Sequence, residues 1–473
     1  MRSFIFLVFF LCSVTTSMMA QSIRKNHNEM TSAEKTALVN AFVALKNGVF
    51  DDLRATHNNS FEDIHFNLRT TGGWIWEPEI DVFFPWHRRQ MLELEQAMQN
   101  LNDKITIPYW DWRVDGSYNT APGELWDDDF MGGFANPASG HYFNDISRSI
   151  GTPGYFDDIS SRVNSVQNIN PGTPPPNYNY YVNYSADMEN TKPHTGGHIW
   201  VGGTMATRSS PGDPIFYLHH GMVDKLWQDW IEDNGFSSGT DMYTKTNMPR
   251  YDGTVSGVSS VNPDDLLDSK KFGVFYAQNG LAELYDYTVG QPVSTGITPN
   301  ATAVFYYQYT IEAKNNFIVP SGKTALLESV NEVILKPGFH AQSGSSFTAK
   351  IDTDVNSLRV NVPQDLLVKT SKFLNYRIIE DVYSEKGIQK LLNAKAKILV
   401  DPKRKDNLEL EFKEPCSPCE IEIVNAQNII VLKQVLNQGK NIDINLNKLV
   451  KGTHFLRVIK NDNEIFNKEL EKL

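Results

Sequence analysis

Eight of the eleven histidines lie between His57 and His220, and their spacing constrains this chain more than any other feature. The downstream group reads His194-Thr-Gly-Gly-His198, and then Asp213-Pro-Ile-Phe-Tyr-Leu-His-His-Gly221 at the start of a helical pattern that runs to about Trp230. Two histidines at i and i+4 share one helix face and can grip one metal ion. His219 and His220 are adjacent, so on a helix they point about 100° apart and do not serve one metal together. One is a ligand and the other its neighbour. The upstream group is His57, His65 and His87, the last in Phe83-Phe-Pro-Trp-His-Arg-Arg89 on the apolar face of a helix expected over about 85–101. A single buried histidine is usually a hydrogen-bonded core residue. Several of them on several helices need a common partner, and a metal supplies it.

The ligand chemistry narrows the metal. Zinc hydrolase and di-iron sites bring in carboxylates, often a Glu three residues before a His. No His-Glu-x-x-His occurs, and no Glu stands three residues before His57, His87, His194, His198, His219 or His220. All-imidazole coordination suits copper, with zinc the other option. Two trios of histidines in one helical domain point to a copper pair.

Around this core the chain divides by pattern. Met-Arg-Ser, the apolar run Phe4–Cys12 and the small residue Ala20 read as a secretory leader over 1–20, and the run is half the length a membrane span needs. Thr31-Ser-Ala-Glu34 has capping-box spacing ahead of Leu38, Phe42, Val43 and Leu45, and predicts a helix ending near Gly48. The helical pattern fades near residue 290. Short β-favouring runs separated by Ser321-Gly322, Pro337-Gly338 and Ser343-Gly344 follow, and 396–473 is β-rich as well. The expected fold is mainly α: a helical-bundle dicopper domain over 21–295, a small stacked-β module over 300–355 and a β-rich C-terminal domain over 360–473. No long repeat array is evident. The formal net charge of −12 argues against nucleic acid, whose binders carry a concentrated basic patch. With three cysteines, one of them in the leader, a disulfide scaffold is excluded. Cys416 and Cys419 are expected to pair in an oxidising compartment, with copper binding in transit or two free thiols as the other options.

Phe84-Pro-Trp-His-Arg88, Ile107-Pro-Tyr-Trp-Asp-Trp112 and Asp213-Pro-Ile-Phe-Tyr-Leu-His-His220 together resemble the type 3 copper proteins, which are the tyrosinases, catechol oxidases and haemocyanins, over about residues 22–235. The resemblance implies two copper ions, with His57, His65 and His87 on the first and His194, His198 and His220 on the second. His219 becomes a non-ligand neighbour and His141 stays unassigned. The family's middle ligand of the first copper usually stands nine residues before the His of Pro-Trp-His-Arg, where this chain has Pro78. His65 takes that role if residues 66–82 form an inserted loop.

Such a centre takes up O₂ and oxidises o-diphenols to o-quinones, and tyrosinase members also hydroxylate monophenols. Glu189 matches the family's water-holding Glu, but the Asn beside the first ligand of the second copper is Thr195 here. A hydroxyl offers a water fewer fixed contacts than an amide. The implied activity is therefore strong on diphenols and weaker on monophenols, whether free phenols or tyrosyl side chains, and the alternative is a haemocyanin-like O₂ carrier. Asp224 could orient a ligand or be an ordinary helix-surface carboxylate, and Ile199 would line the pocket mouth. Residues 312–352 resemble stacked-β modules of exported bacterial proteins. The last segment resembles the sorting domain of type IX secretion, with a lid over the copper site as the competing role. The implied location is outside the cell or on its surface, with the secretion machinery as a partner.

Overall fold

The computed structural model describes residues 18–19, 21–65, 69–70, 73–74, 82–113, 124–127, 130–132, 146–149, 151, 155–168, 178–235, 248–293, 298–358, 360, 376–379, 395–400, 404, 406–461 and 463–472. Most of the expected leader over 1–20, most of the loop expected over 66–82, and His141 lie outside them.

The helices are α1 (Ser32–Leu45), α2 (Val49–Asn59), α3 (Phe61–His65), α4 (Phe83–Gln99), α5 (Ile159–Gln167), α6 (Tyr178–Asn190), α7 (Thr195–Val201) and α8 (Ile215–Asp233). The capping box is present at α1. Thr31 Oγ1 accepts from the Glu34 amide at 3.2 Å and Glu34 Oε2 accepts from the Thr31 amide at 2.8 Å. Behind the cap, Leu38 and Phe42 enter one apolar core with Met91, Leu94, Trp110, Phe216, Trp227 and Trp230. Each such side chain contributes on the order of 1.5–3 kcal/mol on burial.

Two helices carry most of the site, and α4 packs against α8. What fixes this pair is a buried group of charges. The Asp224 carboxylate on α8 accepts from Arg88 Nε on α4 at 2.6 Å, from Arg24 Nη1 at 3.0 Å and from the Tyr276 hydroxyl. Arg24 also meets Glu95 of α4 at 3.0 Å, and a second Glu95 oxygen accepts from the Ile107 amide at 2.8 Å. Asp224 is thus neither a surface carboxylate nor a partner of any histidine. It ties the two site helices together, and its charge is tolerated in the core because every side of it is met by a cation or a donor. Arg24 arrives on the strand Ser22–Arg24, which pairs in parallel with Val274–Tyr276.

A mainly α description fits only residues 32–233. From Val274 onward the described elements are strands and one 3₁₀ turn. Three parallel three-stranded sheets stack the chain on itself. One joins Leu281–Leu284, Thr310–Ala313 and Glu332–Leu335, a second Tyr287–Thr288, Phe317–Val319 and His340–Ala341, and a third Thr302–Tyr307, Thr324–Ser329 and Ser346–Ile351. Thr302, Thr324 and Ser346 stand in register, 22 residues apart at each step. The module is a short parallel solenoid, and it starts at Leu281 rather than at residue 300. Ala303, Phe305, Ala325 and Leu327 face its interior with Phe317 and Val319.

The C-terminal region folds as two antiparallel sheets. The strand order is Tyr376–Ile379, Asn463–Lys472, Gly452–Lys460, Cys419–Asn425, Ile430–Leu436 in one and Ala396–Val400, Asn407–Cys416, Gly439–Asn445 in the other. Leu408 and Leu410 of the second sheet share a core with Ile421, Ile423, Leu456 and Val458 of the first, so the sheets pack face to face. Cys416 and Cys419 are disulfide-bonded and buried at the turn between two strands, which leaves them no surface from which to pass on copper. The strand Ala396–Val400 lies against α2, and Ala55 joins its core. Among the described residues, no helix is long and apolar enough to cross a membrane.

Candidate metal centre

Seven histidines from five elements converge between α4 and α8. His57 comes from α2, His65 ends α3, His87 lies one turn into α4, His194 precedes α7, His198 lies within it, and His219 and His220 stand side by side on α8. All seven rings are at most 7% exposed. Burial holds His57 down at about 3 and His194 at about 4, and pushes His65, His87, His198, His219 and His220 well below the ordinary value of 6.5. These imidazoles are neutral at physiological pH, which is the form that binds a metal.

The hydrogen bonds of the rings decide which nitrogen is free. His57 Nδ1 faces Arg208 O at 2.7 Å, His87 Nδ1 faces Phe83 O at 2.7 Å, His194 Nδ1 faces Glu189 O at 2.8 Å and His198 Nδ1 faces Met205 O at 2.7 Å. A carbonyl only accepts, so each Nδ1 carries the proton and donates it, leaving the Nε2 lone pair unprotonated. Those lone pairs point at one another. His57 Nε2 is 3.1 Å from His65 Nε2, and His198 Nε2 is 3.1 Å from His194 Nε2 and 3.4 Å from His220 Nε2. His87 Nε2 is buried with no hydrogen-bond partner among the described residues. Facing lone pairs with no proton between them repel unless a cation sits among them, so the donor set fits a soft or borderline metal. His87 and His220 stack at 4.3 Å between ring centroids, which sets the two trios face to face.

His57, His65 and His87 have ring nitrogens within 4.8 Å of one another, and so do His194, His198 and His219. Proximity alone would make His219 the sixth ligand. Its ring is fully engaged, however. Trp112 Nε1 donates to Nδ1 at 3.1 Å and Nε2 donates to His194 O at 2.9 Å. His219 therefore braces the His194 turn, whereas His220 turns its Nε2 toward His198 Nε2. Gly197 is required here, because a Cβ at that position would fall 2.3 Å from the His219 ring. The Ile107–Trp112 segment lies alongside, its Trp110 amide donating to Leu218 O at 2.9 Å.

Glu189 and Thr195 both sit at the α6–α7 junction. Glu189 Oε1 meets His65 Nδ1 at 3.2 Å, and the Thr195 hydroxyl donates to Glu189 O at 2.7 Å. Ile199 is 41% exposed beside His198. Sequence spacing missed the brace between Trp112 and His219 and the contact between Glu189 and His65, since both pair residues more than 100 positions apart. It also passed over Glu62, three residues before His65, whose side chain lies outside the described residues.

Fold and donors thus define a helical domain that holds a pair of metal ions on imidazole nitrogens. A family model for the common central domain of tyrosinase matches residues 47–171 and 160–233, and one for a secretion system C-terminal sorting domain matches 403–470. The chain is 31% identical over 271 residues to a tyrosinase of Streptomyces glaucescens, covering 52% of this chain and 96% of that one. It is 29% identical over 276 residues to a tyrosinase of Streptomyces lincolnensis, with the same shares of each chain. A solved tyrosinase from Burkholderia thailandensis overlaps with a TM-score of 0.35 at 15% identity, over 55% of this chain and 74% of that one, too little to carry an argument. The chain belongs to the tyrosinase family, and its cofactor is a pair of copper ions.

Proposed function

We propose that this protein is an exported oxidase that converts o-diphenols to o-quinones with O₂ and hydroxylates monophenols more slowly. His57, His65 and His87 hold one copper, and His194, His198 and His220 hold the other. When bound, the copper pair supplies the exchange of electrons between the phenol and O₂. The surrounding residues keep every ligand ring neutral, aimed and dry. Each o-diphenol gives up two electrons and two protons, and two such oxidations reduce one O₂ to two waters.

The balance between the two activities rests on one observation. Glu189 and Thr195, the residues placed to hold a water that would deprotonate a monophenol, are both engaged elsewhere, Thr195 through its only proton. A diphenol needs less such help. Ile199, exposed beside His198, suits contact with a phenol ring at the mouth of the site. Initial rates on a catechol and on the matching monophenol, followed by O₂ uptake, test this. The catechol should be the faster, without a lag. Equal rates would remove the distinction, and O₂ binding without turnover of either phenol would indicate a carrier.

The leader over 1–20 and the sorting-domain match at 403–470 support export to the cell surface or beyond, with a metal domain, a solenoid and a C-terminal sandwich as separate units. Deleting 403–470 should retain the protein in the cell with its turnover unchanged. Activation on deletion would point instead to a lid.

A further inference from the structure

Among the proposed ligands, His65 is the one whose Nδ1 meets a side chain, while His220 Nδ1 is buried with no hydrogen-bond partner among the described residues. His57, His87, His194 and His198 donate Nδ1–H to backbone carbonyls, whereas His65 Nδ1 meets a side chain, the Glu189 carboxylate, at 3.2 Å. His65 is also the least supported by its element, because α3 is five residues long. The same glutamate serves the other half of the centre through its backbone. Its carbonyl lies in the last turn of α6, where helical carbonyls lack partners from their own helix. Residue 193, which would have supplied the i+4 amide, is a proline and has none. The carbonyl is thereby available, and it accepts from His194 Nδ1 at 2.8 Å and from the Thr195 hydroxyl at 2.7 Å. Glu189 is 3% exposed, so its carboxylate is held against the ring and not drawn to solvent.

We infer that Glu189 is a positioning residue for both coppers, its carboxylate fixing His65 at the first and its main-chain carbonyl fixing His194 at the second. This goes beyond a water-holding glutamate, and it rests on the ligand set proposed above. A carboxylate on Nδ1 fixes the tautomer that presents Nε2 and raises the basicity of the ligand. Because the two tasks use different atoms, side-chain substitution removes one of them and leaves the other.

The test is metal content with spectroscopy, independent of turnover. In Glu189→Ala, copper resistance to a chelator should fall about 10–100-fold at one site only, taking the protein from two coppers per chain toward one. The oxidised protein should then show the paramagnetic resonance of an isolated Cu(II), which a coupled pair does not. Glu189→Gln keeps an oxygen that accepts from Nδ1–H, so it should hold both coppers and restore the spectrum, and its metal-free melting should match the wild type. His65→Ala is the control and should also fall to one copper. Two coppers held with wild-type resistance in Glu189→Ala, while His65→Ala drops to one, would overturn the inference and leave the ligand set standing. So would loss of both coppers in Glu189→Ala, or equal loss in the Gln variant. Two coppers in His65→Ala would overturn the ligand set itself.

Discussion

The two halves of the metal centre are built in different ways. The second trio comes from one continuous stretch, His194 to His220, where a His-x-x-x-His spacing and a single long helix bring the rings together. Its His194 and His198 are aimed by backbone carbonyls, which substitution cannot easily remove. The first trio is gathered from α2, α3 and α4, across residues 66–82, and the Nδ1 of its His65 ring meets a side chain from α6. A site assembled from local chain needs little beyond helix periodicity. One assembled from distant elements needs partners in its surroundings, and it is the half more open to variation.

This contrast can be broken most directly through the ligands. His198→Ala and His65→Ala should each abolish turnover, and metal analysis should find the first copper kept in the former and the second kept in the latter. His219→Ala should keep both coppers, because both of its ring nitrogens serve protein groups. A drop to one copper would exchange the roles of His219 and His220. Next in size is the link between the halves. Asp224→Asn leaves Arg88 buried with its carboxylate gone and Arg24 with Glu95 alone, and breaking such a buried pair costs about 3–5 kcal/mol. Thermal melting with and without copper would show the loss in both, and an unchanged melting point would deny that this cluster joins α4 to α8. Gly197→Ala should act on the second half alone, costing about 1–3 kcal/mol as the new methyl displaces the His219 ring. A first copper lost alongside the second would show that the halves are not separable.

A separate effect falls on the metal-free protein in acid. Burial lowers His57 to about 3 and His194 to about 4 from the ordinary 6.5, so below pH 6.5 the unfolded chain binds more protons than the folded one. The stability that these rings give is complete above pH 6.5. It is lost as the pH falls toward 4 and then 3. Chemical denaturation between pH 7 and 4 should show this decline, and a flat profile would place the rings in contact with water.

Much of the second half was legible in the sequence, because i, i+4 spacing and a pair of adjacent histidines on a helix leave few arrangements open. The α1 cap and the α4 and α8 helices were legible for the same reason, each signalled within one or two turns. Other features depended on through-space pairing. Asp224 is met by Arg24, Arg88 and Tyr276 from three separate segments, and no local pattern marks it as buried. Glu189 suggested a water-holding role from its position five residues before His194, but the direction of its side chain is set by α6 packing. The stacked strands were legible as short runs between turn signals, but their pairing was not, because the hydrogen bonds join residues 22 to 30 positions apart.

That pairing has a physical corollary. Each coil of a parallel stack advances by one inter-strand spacing, about 4.8 Å, whatever lies in its turns. The last coil, with Glu332–Leu335 and Ser346–Ile351 largely exposed, presents an open end to which more coils could be added without disturbing those beneath. Growth at that end would proceed one coil at a time, and the last step, from Thr310 to Glu332, takes 22 residues. Evolution or engineering can lengthen the stack in such steps.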